Sequence, residues 1–227
     1  EKCRSTGTRC CAQCRSDGRR LVKLPIKADV AVLYQLPALT PLMRVHDSNF
    51  SGDAFNPCMG AETRFTHLKD IDRACIPTAY AATSLDGAAY ETVFRGTPHK
   101  YSTVPRQSLN SRSISVFETQ KALSLVPLFT PELRRWGIEE DALLCASAVS
   151  YPLCRSLAQM AWRDNPKADG LIWSSVQDSG AFAMLLFGDR LGAQDMRVIS
   201  ERRVAVDHTA LEDLRKAGQR AGWSISK

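Results

Sequence analysis

The chain has 227 residues, 44% of them hydrophobic and 24% charged, with 30 Lys and Arg against 24 Asp and Glu. Those proportions suit a globular protein able to bury a core, and no apolar run approaches the roughly 18 residues of a membrane span. The net charge of +6 does not describe a basic surface: residues 1–27 hold eight basic and two acidic side chains, and the other 200 residues hold 22 of each sign. Any polyanion binding implied by the charge is therefore confined to a short arm.

The arm, taken as residues 1–35, is rich in Arg, Ser, Gly and Cys and has no hydrophobic period. It lacks the apolar core of a secretory signal. Cys11-Ala12-Gln13-Cys14 is a C-x-x-C with Cys3 and Cys10 upstream, but the second C-x-x-C of a zinc ribbon is missing. The expectation is a disordered basic arm able to touch nucleic acid, with a zinc site at Cys3, Cys11 and Cys14 as the alternative. A body over residues 36–227 follows.

Leu36 to Leu42 is a proline-punctuated entry, Met43 to Val45 opens a strand, and 47–64 is rich in turn formers. Pro77 to Ala82 reads as a short buried strand. Ser84 is an N-cap with Asp86 in the first turn, opening a helix that runs to about Arg95 and stops at Gly96. Ser113 to Phe117 and Leu123 to Leu128 are strands. Thr130-Pro131 caps a short helix ended by Gly137, and Pro152 to Arg163 forms another ended by Asn165-Pro166. Gly170 to Ser175 and Ala181 to Phe187 form a hairpin, and Arg197 to Val206 adds a strand. Asp207 caps a last helix carrying Leu211 and Leu214 and ending near Gly222. This irregular alternation predicts an α+β fold.

The usual phosphate cradles, the G-x-S-x-G elbow and H-E-x-x-H are all absent, and His46, His67, His99 and His208 form no i,i+4 pair. Cys58, Cys75, Cys145 and Cys154 show no pairing rhythm, which predicts reduced thiols and a cytoplasmic protein. On the helix after Ser84, Glu91 shares a face with Ser84, Gly87 and Ala88, while Leu85, Ala89 and Val93 pack inward. An acid beside small residues leaves room for a bound molecule, and equally suits a solvated face.

Met43-Arg44-Val45-His46, Phe55-Asn56-Pro57, Gly60, Arg64-Phe65, Pro77 to Ala82 and Ala88 to Phe94 stand in an order and spacing that resemble the RES domain family. The resemblance continues through Asp169 to Ser175 and Leu186 to Arg190, covering about residues 41–190. These are bacterial toxins, named for an Arg, a Glu and a Ser, that pair with Xre-type antitoxins. The resemblance implies a fold similar to ADP-ribosyltransferases, with a split mixed sheet around an NAD cleft. It also implies NAD as substrate, cleaved at the nicotinamide–ribose bond by phosphorolysis or hydrolysis, or used to ADP-ribosylate a protein. NAD, inorganic phosphate and the antitoxin are the implied partners, in a bacterial cytoplasm, without metal or membrane.

Carried over by position, the family Arg falls on Arg44, a second Arg on Arg64, the aromatic on Tyr80, the Glu on Glu91 and the Ser on Ser175, with Ser174 its neighbour. The implied catalytic set is Glu91, Arg44 and Ser175; Arg44, Arg64, Tyr80, Ser174 and Ser175 bind NAD. The chemistry suits the residue types. Guanidinium binds pyrophosphate bidentately. A ring stacks on a base, and a carboxylate stabilises an oxocarbenium-like transition state. Apart from the family, Arg44 fits a strand-end salt bridge, Tyr80 a core aromatic, Arg64 a solvated cation, and the serines ordinary turn or strand polar positions. Where many members carry Gly-Gly-Arg-Trp this chain has Ala61 to Phe65, and Val176 follows Ser175 where an Arg is common.

Overall fold

The structure, a computed structural model, describes residues 27–95, 102–139, 143, 150–175, 178 and 180–226. Its strands are β1 (Tyr34–Leu36), β2 (Pro41–Asp47), β3 (Leu68–Lys69), β4 (Cys75–Ile76), β5 (Thr78–Ala82), β6 (Thr103–Val104), β7 (Arg112–Thr119), β8 (Leu123–Pro127), β9 (Gly170–Ser174), β10 (Phe182–Phe187), β11 (Met196–Arg203) and β12 (Ser224–Ile225). Its helices are α1 (Leu85–Thr92), α2 (Thr130–Arg135), α3 (Tyr151–Asp164) and α4 (His208–Arg220). Eight strands make one sheet in the order β1-β8-β9-β10-β5-β2-β7-β11, with β3–β4 and β6–β12 as two small ribbons. Within the large sheet β8 and β9 run parallel and every other neighbouring pair runs antiparallel. The class is the expected α+β with a mixed sheet.

Period-two alternation sorts the strands between two faces. On β10, Ala183, Leu185 and Phe187 face α2 and α3, where Leu133, Leu157 and Ala161 complete one core. Met184 and Leu186 face the other way, joining Leu42, Phe117, Leu123 and Ile172 from across the sheet, so the sheet curls around this second core. A third core packs α1 and α4 on β2 and β7 through Tyr90, Phe94, Ile114, Leu211 and Leu214. The sheet is nearly severed between its halves. β2 and β5 share one registered pair, Met43↔Ala82, beyond which Arg44 to His46 and Tyr80 to Ala81 splay apart.

Local signals set most boundaries. Ser84 Oγ accepts the Gly87 N–H at 3.0 Å, and Asp207 Oδ1 accepts from Thr209 and Ala210 at the start of α4. Gly137 ends α2 at φ +69. Some expectations shift: β11 ends at Arg203, not Val206. α1 ends at Thr92 rather than near Arg95, because Phe94 turns into the core, where it stacks on Trp223 and lies against Gly218. Thr130 is the first residue of α2 rather than its cap; Phe129 holds the cap position without a side-chain hydrogen bond.

The Leu186 to Arg190 motif is structural. Arg190 donates to the carbonyls of Trp162 (2.6 Å), Asn165 (2.8 Å) and Ala168 (2.6 Å), capping the C-terminal end of α3. A Cβ at Gly188 would lie 2.9 Å from the Phe55 ring and 3.0 Å from Pro77 Cβ, so glycine is what lets those three segments meet. Of the arm expected over 1–35, residues 1–26, with Cys3, Cys11 and Cys14, lie outside the described residues. Residues 28–36 pack on the body: Ala28 N–H donates to Asp164 at 2.8 Å, and Trp136 Nε1 donates to the Asp29 carbonyl at 3.2 Å.

The cysteine expectation is corrected. Cys58 and Cys75 form a disulfide, with Cα atoms 6.0 Å apart, 17 residues apart in sequence. The pairing has no rhythm in the sequence because it joins an irregular loop to the β3–β4 ribbon, a contact made only by the tertiary path. With it goes the cysteine argument for a reducing compartment. Cys154 is buried and unpaired, as expected, and Cys145 lies outside the described residues. Among the described residues no helix is long and apolar enough to cross a membrane.

Candidate active site

The splay between β2 and β5 opens into a cavity of about 530 Å³, within the range of small-molecule sites. Arg44 to Asp47 of β2 form one wall and Thr78 and Tyr80 of β5 another. The rim comes from the loop between β2 and β3, through Phe50, Phe55 and Met59. A narrow cleft continues inward between Arg44, Val45, Tyr80, Ala88 and Glu91. Of the small residues predicted beside Glu91, Ala88 lines this cleft, whereas Gly87 is buried against Ala82 and Ala181.

Glu91 does not face solvent. Its Oε2 accepts from Arg64 Nη2 at 3.1 Å, and the two side chains are 10% and 7% exposed. Two long side chains from segments 27 residues apart are thus committed to one ion pair inside the protein. A pair so placed survives only when both partners stay, since removing one strands a buried charge. Arg64 is therefore not a solvated cation. Its guanidinium lies 5.5 Å from the Phe65 ring centroid, and its Nε and Nη1 have no hydrogen-bond partner.

Tyr80 stands beside this pair. Its hydroxyl accepts the Phe65 N–H at 3.1 Å and shares a hydrogen bond with Thr63 Oγ1 at 2.9 Å, and its ring meets Trp173 edge-on at 6.2 Å. Burial pushes its phenol above the usual tyrosine range, so it stays protonated. The ring both lines the cavity and joins the core on α3.

Arg44 is engaged otherwise than as a strand-end salt bridge. Its Nη1 donates to the carbonyls of Gly52 (3.0 Å) and Ala54 (2.7 Å), gripping the rim loop, and its Nε is buried without a partner. Burial pulls its pKa down to about 10, against the opposing pull of Asp53 and Glu201. Ser174 and Ser175 line neither the cavity nor the cleft. Ser175 is 3% exposed at the end of β9, where its N–H donates to the Ala181 carbonyl and its Oγ has no partner. The structure thus gathers Arg44, Arg64, Tyr80 and Glu91, and leaves Ser174 and Ser175 at the end of β9, with β10 between them and β5.

Sequence reading passed over His46, Ser115, Glu201 and Gly52. His46 Nε2 lies 2.7 Å from Ser115 Oγ, and Nδ1 lies 3.0 Å from the Asp47 carbonyl. A carbonyl only accepts, so Nδ1 carries the hydrogen and Nε2 accepts from the Ser115 hydroxyl. Burial, then the neighbouring Arg44 charge, hold the imidazole below its ordinary pKa and so neutral. The signal was present: Ser113 and Ser115 alternate with Ile114 and Val116, and β7 sets them opposite His46 and Arg44. No group of His, Cys, Asp and Glu able to hold a metal occurs among the described residues.

A family model described as RES domain matches residues 41–207. No curated protein matches the chain in sequence. Among solved structures, the crystal structure of the Mycobacterium tuberculosis MbcT–MbcA toxin–antitoxin complex contains a chain of similar fold. The TM-score is 0.57 at 13% identity, over 82% of this chain and 91% of that one.

Proposed function

The chain belongs to the RES domain family, and on that premise we propose that it is the toxin of a toxin–antitoxin pair and acts by cleaving the nicotinamide–ribose bond of NAD. The observation that carries this reading is the buried Arg64–Glu91 pair at the inner end of a cavity walled by Arg44 and Tyr80. The donor set suits the substrate. Arg44 Nε at the cavity wall, and Arg64 Nε and Nη1 on the partner of Glu91, are buried without partners, and buried donors of this kind call for an acceptor-rich ligand. Pyrophosphate, ribose hydroxyls and a carboxamide offer such acceptors.

In this reading the bond electrons leave with the nicotinamide ring nitrogen, and positive charge develops at ribose C1. The Glu91 carboxylate, oriented by Arg64, stabilises that charge. A phosphate oxygen then attacks C1 to give ADP-ribose 1-phosphate, or water attacks to give ADP-ribose and a proton. Tyr80 offers its ring face to a base, and the arginines offer charge to the phosphates. Transfer of ADP-ribose to a protein uses the same first step with a different acceptor. The site of action is the bacterial cytoplasm, where NAD is met, and the neutralising partner is an Xre-type antitoxin, a pairing that the toxin–antitoxin complex of similar fold supports.

The test is incubation of the pure protein with labelled NAD, with and without inorganic phosphate. Release of nicotinamide is expected, faster with phosphate if phosphorolysis operates, and with label on protein if transfer does. Intact NAD in every condition would overturn the reading.

A further inference from the structure

The rim loop between β2 and β3 supplies Phe50, Ala54, Phe55 and Asn56 to the cavity, yet residues 48–54 form no strand of the sheet. Besides ties at Ser48 and Ala54, one residue of it, Gly52, is gripped through both of its backbone polar groups. The Gly52 carbonyl accepts from Arg44 Nη1 at 3.0 Å, and the Gly52 N–H donates to Glu201 Oε2 at 3.0 Å. Arg44 stands on β2 and Glu201 on β11, 149 residues from Gly52. Beneath Gly52 lies Ser115, fully buried on β7, whose one hydroxyl hydrogen goes to His46 Nε2 at 2.7 Å, the same Glu201 oxygen lying 3.3 Å from Oγ. The fit is close enough to exclude a side chain, since a Cβ at position 52 would fall 2.5 Å from Ser115 Cβ and Oγ.

A guanidinium and a carboxylate thus converge on one residue of a loop that packs no large core side chain before Phe55. Holding a carboxylate on β11 for one backbone donor suits a loop whose position matters to a ligand. We propose that Glu201 is a positioning residue which, seated over Ser115, clamps Gly52 through its backbone N–H and so fixes the rim of the cavity in which the substrate lies. It touches no substrate itself and acts through the loop. The substrate part of the inference rests on the NAD reading; the clamp itself does not.

The test compares wild type with Glu201→Ala, Glu201→Gln and Gly52→Ala by amide exchange over residues 48–56 and by NAD kinetics. Loss of one hydrogen bond to a charged group predicts exchange about tenfold faster in Glu201→Ala. A similar rise in KM is expected, with kcat within about twofold, the pattern of lost positioning rather than lost chemistry. Glu201→Gln keeps an acceptor oxygen and should restore both, whereas a role in overall folding would not divide KM from kcat. Gly52→Ala should reproduce the loss by displacing the loop. Exchange unchanged in both alanine variants overturns the clamp, and faster exchange with unchanged KM overturns its role toward the substrate. If wild type consumes no NAD, the functional reading falls while the exchange comparison still decides the clamp.

Discussion

Glu91 and Arg64 depend on each other, which separates two substitutions usually treated as alike. Glu91→Gln keeps the shape and a carbonyl acceptor for Arg64 but removes the negative charge. Nicotinamide release should fall by about 10²-fold or more while the protein stays folded, as circular dichroism will show. Glu91→Ala should in addition cost about 3–5 kcal/mol in urea unfolding, because Arg64 is left charged and buried. His46 makes a prediction of another kind, one about stability and not turnover. Its folded pKa lies below the ordinary 6.5 through burial and Arg44, so below pH 6.5 the unfolded chain binds a proton that the folded chain refuses. Stability should therefore fall as pH drops from 6.5 toward the lowered folded value, and His46→Asn should flatten that segment of a melting-temperature profile. Asp47 and Glu201 oppose the shift, which limits its size. Arg44, Arg64, Tyr80 and Glu91 were legible as residue types in a family order. Their engagements were not, because whether an arginine grips a loop, pairs with an acid or meets solvent depends on what the chain brings opposite it.

Among the elements, α1 does the most for the site, and its start was written locally. Ser84 places an acceptor on the Gly87 N–H, and the helix then carries Glu91 to the cleft. Ser84→Ala should cost about 1 kcal/mol, lowering the melting temperature by roughly 2–4 °C in a domain of this size, with activity at low temperature retained. The end of α1 was not local, because Phe94 leaves the helix to meet Trp223, a partner far along the chain. The β9–β10 hairpin and the α4 cap were both predictable from short-range signals and appear where expected. The polar alternation on β7 was visible too, but its use as a bed for the rim loop required β2 and β11 on either side.

At the scale of the molecule, the sheet curls and nearly parts between β2 and β5, and the cavity lies in that parting. Its rim is tied to the β3–β4 ribbon by Cys58–Cys75, and Gly60, Ala61 and Met59 beside the bridge line the opening. By chain entropy, a bridge over 17 residues restrains the unfolded state by about 3 kcal/mol. A reductant should therefore lower the melting temperature of the wild type and leave that of a Cys58→Ser, Cys75→Ser double variant unchanged. An equal response of the two proteins would remove the bridge from the stability of the fold.

The amino-acid order alone determined the α+β class, most element positions and the residues of the family pattern. Caps, turns and hydrophobic periods act within a few residues, so they can be read without knowing the chain's path. The Arg64–Glu91 pair, the grip of Arg44 and Glu201 on Gly52, and the Cys58–Cys75 bridge belong to the folded chain. Each joins groups 8 to 149 residues apart, and such contacts exist only once the curled sheet has brought the strands and loops carrying them together.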